Sequence, residues 1–329
     1  MTALPLTVLT GFLGSGKTTL LRHALADPRL AGTAVIVNEF GAVGLDHDLL
    51  ESAEEDLVAL STGCLCCAVR GDLARTIGDL LARRGTGEIA FERLVIETSG
   101  LADPAPIVQA LALDPTLQGR VTLARIVTAI DAVAGPETLA SHPEARKQAA
   151  FADTLVLTKG DLATPEPAER VARAYNPSAA LVRAELGRLD PAHLLPPEAP
   201  SEALANALAT ARDTEAGDAE AEHTEGLATV TLVRDAPVAA IALTLFLEAL
   251  AEACGPDLLR VKGLVQIAEA PETPAVVHGV QHVFYRLEWL EAWPGGDRRT
   301  RLVLIGRHLM PGWPRLLLNQ IEREVAAAA

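Results

Sequence analysis

The sequence predicts an α/β chain in two parts: a first domain on a mainly parallel sheet with helices on both faces, then a smaller α+β domain. Three observations predict it. Short β-branched runs alternate with helix-length segments up to about residue 185, a proline-rich and then acidic stretch interrupts the alternation, and a strand-rich texture with two helical segments follows. Strands separated by helices form βαβ units, and these build parallel sheets. At 329 residues the chain is long enough for two domains, each able to bury a core without disulfide or metal staples.

In chain order, Leu6–Leu9, Ala34–Val37, Leu94–Glu97, Arg125–Ile130 and Thr154–Thr158 read as buried strands. Within Ala74–Leu81, Ile77, Leu80 and Leu81 fall at helical spacing, and Pro104 opens a helix whose inner face is Ile107, Val108 and Leu111. These elements assign residues 1–190 to the first domain. Residues 191–226 read as a linker: Pro191, Pro196, Pro197 and Pro200 come first, then Asp213, Glu215, Asp218, Glu220, Glu222 and Glu225, with room for a short helix at Ala203–Arg212. Residues 227–329 supply a strand at Ala228–Val233, a helix at Val238–Ala253, strands around Leu258–Ile267, Val276–Leu290 and Arg301–Ile305, and a last helix near Trp313–Val325. No internal repeat is visible.

Composition narrows the function. Lys and Arg number 28 against 43 Asp and Glu, a net charge of −15, and aromatic residues make up 3%. Neither a phosphate-backbone partner nor a base-stacking platform fits that balance, so no nucleic-acid partner is expected. The apolar stretches fall short of the roughly 20 residues of a membrane span, and Met1–Pro5 carries no basic region ahead of an apolar run. A cytoplasmic protein without a membrane partner is expected. Cys64, Cys66 and Cys67 sit within four positions and Cys254 stands alone, a spacing that suits metal or redox chemistry in a reducing compartment better than a disulfide framework.

The chemistry is concentrated in a few motifs. Gly11 to Thr18 spells Gly-x-x-x-x-Gly-Lys-Thr, directly after a predicted strand and before the helical run Leu20–Ala26, which is the context a P-loop requires. Gly11, Gly14 and Gly16, with Ser15 and Thr19, let backbone amides turn around phosphate oxygens at a helix N-terminus. Lys17 is then placed for the β- and γ-phosphates, and the Thr18 hydroxyl for Mg²⁺. The fold class is accordingly a P-loop NTPase domain followed by the α+β module. Thr158-Lys159-Gly160-Asp161 ends a buried strand; alone it is an ordinary polar turn, but behind a P-loop a buried Asp161 selects guanine, whose ring N–H and amino group it can accept, with the Lys159 stem along the ring. Leu94–Glu97 is an apolar strand ending in an acid, with Gly100 shortly after. That arrangement fits a hydrolysis switch in which the Gly100 amide senses the γ-phosphate and Glu97 orients water or holds a water on the metal. Asp131 reads as loop-organising.

Gly63-Cys64-Leu65-Cys66-Cys67 follows the apolar run Leu57–Leu60 and so belongs near a strand end. Three thiolates suit Zn²⁺ or Cu(I), although Zn²⁺ usually takes four ligands. Adjacent Cys66 and Cys67 would face opposite sides of a regular strand, so a joint site needs a turn there. The alternative is small hydrophobes filling a sheet edge.

Taken together, Gly11–Thr19, Asn38-Glu39-Phe40-Gly41 with Gly44 and Asp46, Gly63–Cys67, Glu97–Pro104, Thr158–Asp161, Leu259–Gly263 and His278–Gln281 resemble the CobW-like metallochaperone GTPases over nearly the whole length. The resemblance implies slow, regulated GTP hydrolysis to GDP coupled to delivery of Zn²⁺ or Co²⁺ to a client metalloprotein. It makes the cysteine motif the metal site and Asn38 and Glu39 part of a switch near Mg²⁺. It also implies a ferredoxin-like C-terminal domain that docks partners; a homodimer is compatible with it. Two departures stand out: Thr158 occupies a place where many GTPases have Asn, and Val37 a place where some relatives carry a metal-binding Glu. The expected mechanism is a two-state coupling in which GTP and Mg²⁺ order Asn38–Gly41 and Thr98–Asp103 and alter the geometry at Cys64–Cys67. The rivals are a P-loop kinase acting on a small metabolite and a non-enzymatic metal or redox sensor tuned by nucleotide.

Overall fold

The computed structural model describes residues 3–37, 59–61, 69–195, 227–285, 287–294 and 297–328. The chain divides into two compact units, Met1–Ala172 with Leu181–Glu198, and Arg173–Ala180 with Ala199–Ala329.

The first sheet holds β1 (Leu4–Gly11), β2 (Thr33–Val37), β3 (Ala59–Ser61), β4 (Arg93–Glu97), β5 (Val121–Asp131), β6 (Thr154–Thr158) and β7 (Ala180–Arg183) in the order β3-β2-β4-β1-β5-β6-β7. The neighbours β2–β3, β2–β4, β1–β4, β1–β5 and β5–β6 run parallel. Continuous apolar runs form these strands because both faces are covered: Leu6, Val8, Leu9, Ala34, Val35, Ile36, Leu94, Val95, Ile96 and the Leu155–Leu157 run are all buried. Strand β5 begins at Val121 rather than at the expected Arg125, because its head is half-covered, with Val121 and Leu123 buried on either side of exposed Thr122. The helices are α1 (Lys17–Leu25), α2 (Val69–Gly85), α3 (Ala105–Leu113), α4 (Gly135–Ser141), α5 (Pro143–Phe151) and α6 (Glu166–Tyr175). Leu20, Leu21 and Ala24 of α1 pack with Leu9, Val35, Val95, Val127 and Val156. Helix α3 starts where Pro104 predicts it, with the Asp103 carboxylate accepting from the Ala105 amide at 2.9 Å, and it buries the expected Ile107, Val108 and Leu111.

Residues 191–195, read from composition as the head of a linker, are packed onto the first unit. Pro191 opens a 3₁₀ turn capped by the Asp190 carboxylate, and Leu194, 1% exposed, joins the cluster beneath α1. Its carbonyl accepts from the Thr7 hydroxyl at 2.8 Å, and Arg125 donates to the His193 carbonyl at 3.1 Å. A proline that starts a turn and one that breaks a chain look alike in composition. The helix expected at Ala203–Arg212 lies outside the described residues.

The second unit runs β8 (Leu227–Arg234), α7 (Ala240–Cys254), β9 (Leu258–Ile267), β10 (Ala270–Val280), β11 (Val283–Phe284), β12 (Glu288–Trp289), β13 (Thr300–Arg307) and α8 (Trp313–Ala328). Its sheet is ordered β11-β10-β9-β13-β8, with β12 on β10, and the pairs are antiparallel. One face packs under both helices: Phe246, Leu250 and Leu318 meet Val230, Val261, Val277 and Leu304. This is the expected α+β layering. Its second helix follows the last strand, whereas a ferredoxin-like order would insert it before that strand. The single strand expected over 276–290 is broken by a tight turn, where Val280 pairs with Val283 and Gln281 is left-handed at φ 53°. Among the described residues no helix is long and apolar enough to cross a membrane.

The packing of Leu194 is directly testable. Leu194→Ala should lower unfolding free energy by about 2–4 kcal/mol in denaturant titration, the cost of a cavity in a core. A change within about 0.5 kcal/mol would place residues 191–195 in the linker.

Candidate nucleotide site

Parallel pairing brings the strand ends to one rim. Gly11 lies beside Ala129, Leu9 and Val37 beside Glu97, Ser61 beside Val37, and Asp131 beside Thr158. Open α/β sheets bind ligands beyond the carboxyl ends of their strands.

Gly11 leaves β1 at φ 140°, and a Cβ there would sit 2.4 Å from the Ala129 carbonyl oxygen and 2.8 Å from Ser15 Oγ, so only glycine lets the loop turn this close to β5. Helix α1 begins at Lys17 behind Gly16, which offers no side chain to cap the first amides. A helix start of this kind presents free N–H groups and the positive end of its dipole to an anion. Lys17 is buried, and its Nζ donates to the carbonyls of Gly11 at 2.9 Å and Phe12 at 3.1 Å. Thr18 Oγ1 donates to Glu97 Oε1 at 2.5 Å, so a hydroxyl and a buried carboxylate converge at the helix start. The cleft beside them, about 320 Å³, is bounded by Gly14, Lys17, Thr18, Val37, Glu97 and Lys159.

Beyond Glu97 the chain crosses the P-loop. The Thr98 hydroxyl donates to Thr10 Oγ1 at 2.8 Å, and Gly100 lies so close to Leu13 that a Cβ would meet its backbone at 2.6–2.7 Å. Gln148, 1% exposed, holds this segment from behind, donating from Nε2 to the carbonyls of Gly100 at 3.1 Å and Ala102 at 3.0 Å. Lys147 pairs with Asp103 at 2.6 Å. Sequence reasoning missed both residues of α5. For Gln148 one signal was available: it is one turn from Ala145 and from Phe151, which are on the buried face.

At the end of β6, Thr158 is buried and its hydroxyl donates to the Ser15 carbonyl at 2.7 Å. The tie between this loop and the P-loop therefore persists with Thr in place of Asn. Lys159 is left-handed at φ 57°, with Nζ on Asp131 Oδ2 at 2.6 Å. Asp131 also accepts from the amides of Val133 at 2.8 Å and Ala134 at 3.3 Å, the loop-organising part expected of it. The expectation of a buried Asp161 is corrected: it is exposed, because β6 ends at Thr158 and the turn Lys159–Leu162 stands past the rim. A second segment at this end was missed. The Ala184 amide donates to the Leu157 carbonyl at 2.8 Å, and Gly187, at φ 75°, lies 2.6 Å by its built Cβ from Thr19 Cγ2. The Leu186-Gly187 pair after a short apolar run was the available sign of a turn.

Asn38, Glu39, Cys64, Cys66 and Cys67 lie outside the described residues. Among the described residues no cluster of three His, Cys, Asp or Glu suits a metal ion. Cys254 is half-buried, and burial, then the Asp257 charge, raise its thiol pKa, which favours the protonated form.

The comparisons agree with this architecture. The family model of the CobW/HypB/UreG nucleotide-binding domain matches residues 5–183, and that of the cobalamin synthesis protein cobW C-terminal domain matches 227–322. The chain is 32% identical over 315 residues to the zinc chaperone YjiA of Escherichia coli, covering 94% of this chain and 96% of that one. It is 34% identical over 343 residues to the zinc chaperone CobW of Pseudomonas aeruginosa, covering 93% and 88%. The crystal structure of Zn(II)-bound YjiA GTPase from E. coli superposes with a TM-score of 0.73 at 27% identity, covering 98% of this chain and 99% of that one.

Two substitutions test the rear and front of the Gly100 segment. Gln148→Ala removes a donor shared by two carbonyls and should lower stability by about 1–3 kcal/mol, with amide exchange accelerated at 98–103 and unchanged in the sheet. Gly100→Ala forces its loop off the P-loop and should weaken nucleotide binding about tenfold by calorimetry. Unchanged affinity would make the Gly100–Leu13 contact incidental.

Proposed function

We propose that this chain, which belongs to the CobW/HypB/UreG family, hydrolyses GTP to GDP and phosphate at the β1–α1 loop and couples that turnover to handing Zn²⁺ to a client metalloprotein. The observation that carries the reading is the convergence of Thr18 and Glu97 at 2.5 Å beside Lys17 and the open start of α1. An anion cradle alone would bind phosphate; a hydroxyl and a carboxylate at its lip are the hard oxygen donors that Mg²⁺ prefers. Thr18, with Glu97 in reach, is the residue to hold that ion, which supplies charge neutralisation on the β- and γ-phosphates.

The chain's own residues do the rest. Lys17 exchanges its contacts with the Gly11 and Phe12 carbonyls for phosphate oxygens, and the first amides of α1 take the remaining charge. Glu97 orients the water that attacks the γ-phosphorus as the bond to the β-phosphate oxygen breaks, with GDP as leaving group. The Gly100 amide reads the γ-phosphate, supported by its contact with Leu13 and by Gln148 behind it. Asp161 accepts from guanine, and Lys159 lies along the ring with its ammonium anchored on Asp131.

Cys64, Cys66 and Cys67 are the Zn²⁺ site in this reading, with Zn²⁺ as cargo. Ser61 pairs with Val37 and Val37 with Glu97, so β2 and β3 leave the sheet beside the residue that orients water. Strand β2 leads directly into Asn38–Gly41 and β3 into the thiol segment. Relatives named as zinc chaperones over almost the full length support zinc as the metal.

Equilibrium dialysis of Zn²⁺ against the chain with a non-hydrolysable GTP analogue and with GDP should give affinities differing about 5- to 150-fold. Equal affinities remove the coupling. Cys66→Ser should weaken Zn²⁺ binding and leave GTP binding intact, and Lys17→Ala should do the reverse while cutting phosphate release about 10²–10³-fold. Phosphate should be released with no acceptor added; strict dependence on a small-molecule acceptor would make the protein a kinase.

A further inference from the structure

Resting on that guanine-nucleotide reading, we infer that the Thr158–Asp161 turn reads guanine at its N1–H and 2-amino edge, through Asp161, and gives no side-chain hydrogen bond to the ring N7. Guanine presents N7 and O6 as acceptors on one edge and N1–H and N2–H₂ as donors on the other. A contact to N7 needs a donor, and on the base-binding turn Thr158–Asp161 only the Thr158 hydroxyl and the Lys159 ammonium are side-chain donors.

An asparagine carries two amide protons and a carbonyl, so it could tie the loop to the P-loop and still donate to a base. A threonine hydroxyl has one proton. At Thr158 that proton goes to the Ser15 carbonyl at 2.7 Å, with the Ile130 carbonyl at 3.3 Å as its other acceptor. The rest of the side chain is aliphatic, 2% exposed, with Cγ2 and Cβ at 3.7–3.8 Å from a Cβ built on Gly16. Thr158 does not line the cleft, whereas Lys159, the next residue, does. Three neighbouring donors are committed as well. The Ala184 amide donates to Leu157, the Glu185 amide donates to Arg188, and the Lys159 ammonium is on Asp131. Turning the Thr158 hydroxyl toward a base would break its hydrogen bond between the two loops and leave a buried carbonyl without that partner, which costs about as much as a new hydrogen bond to N7 would contribute. Thr158 is thus a positioning residue for the P-loop, and the carboxylate of Asp161, exposed on the turn, is left as the reader of base identity.

The test is calorimetry of the full chain with Mg²⁺ and four triphosphates. 7-Deaza-GTP, in which C–H replaces N7, should bind within about threefold of GTP. ITP, which lacks the 2-amino donor, should bind about tenfold or more weakly, and ATP weaker still. A larger loss with 7-deaza-GTP, while ATP remains rejected, overturns the inference and leaves the guanine reading standing. ATP binding as well as GTP overturns the guanine reading itself. Thr158→Val should weaken GTP and 7-deaza-GTP by the same factor, and Thr158→Ser, which keeps the hydroxyl, should recover GTP affinity. A Thr158→Val loss confined to GTP would show that the hydroxyl touches N7 and overturn the inference.

Discussion

Everything at the rim depends on how closely the P-loop backbone approaches the strand ends on either side of it. Gly11 lies over the Ala129 carbonyl, and Gly100 lies against Leu13, with no room for a methyl group at either place. These contacts are between backbones, which are stiff. They translate the parallel register of β1, β4 and β5 into positions for Lys17, Thr18 and Glu97. A side chain at either glycine would pry the loop from the sheet, and the convergence of hydroxyl and carboxylate at 2.5 Å would go with it.

The same closeness explains why so many polar groups are buried here. Thr10, Ser15, Lys17, Glu97, Thr98, Thr158 and Gln148 all lie inside, within a first unit whose strands are rich in Leu, Val and Ile. Buried polar groups are costly unless hydrogen-bonded, and the bonds seen here tie the loops at the rim to strand ends and to α5: Thr98 to Thr10 of β1, Thr158 of β6 to Ser15, and Gln148 of α5 to Gly100 and Ala102. Each loop is held in place by an element beside it. A ligand that moves one of them is felt by the rest, which is the physical condition for a switch.

The candidate site was legible where its chemistry is local in the chain. The P-loop needs a strand, a turn that tolerates glycine, a lysine and a helix in immediate succession, and all of these are consecutive from Leu6 to Ala26. Glu97 and Asp131 were legible because an acid closing an apolar run marks a strand end. Lys147 was not, because it acts on a loop far away in sequence and looks, in its own neighbourhood, like a solvated polar residue; Gln148, one turn from buried Ala145 and Phe151, and the Leu186-Gly187 turn carried a local sign, but neither sign names the distant segment it holds. The burial of Asp161 was misjudged for a related reason: the residue's chemistry is written in the motif, but the height of its turn above the rim is set by where β6 stops.

By itself the sequence determined β1, β2, β4, β5 and β6, the fold class of a parallel-sheet part followed by an α+β part, and the phosphate loop, because periodicity and glycine placement are short-range constraints that each segment obeys before it packs; β7 and helices α4 to α6 carried no such mark. Only the tertiary structure decided which strand ends share the rim, that residues 191–195 pack rather than link, that the strand expected over 276–290 turns back at Gln281, and that the Thr158 proton goes to Ser15. Those outcomes rest on contacts between segments far apart in the chain, and no local pattern encodes which distant partner a buried group will meet.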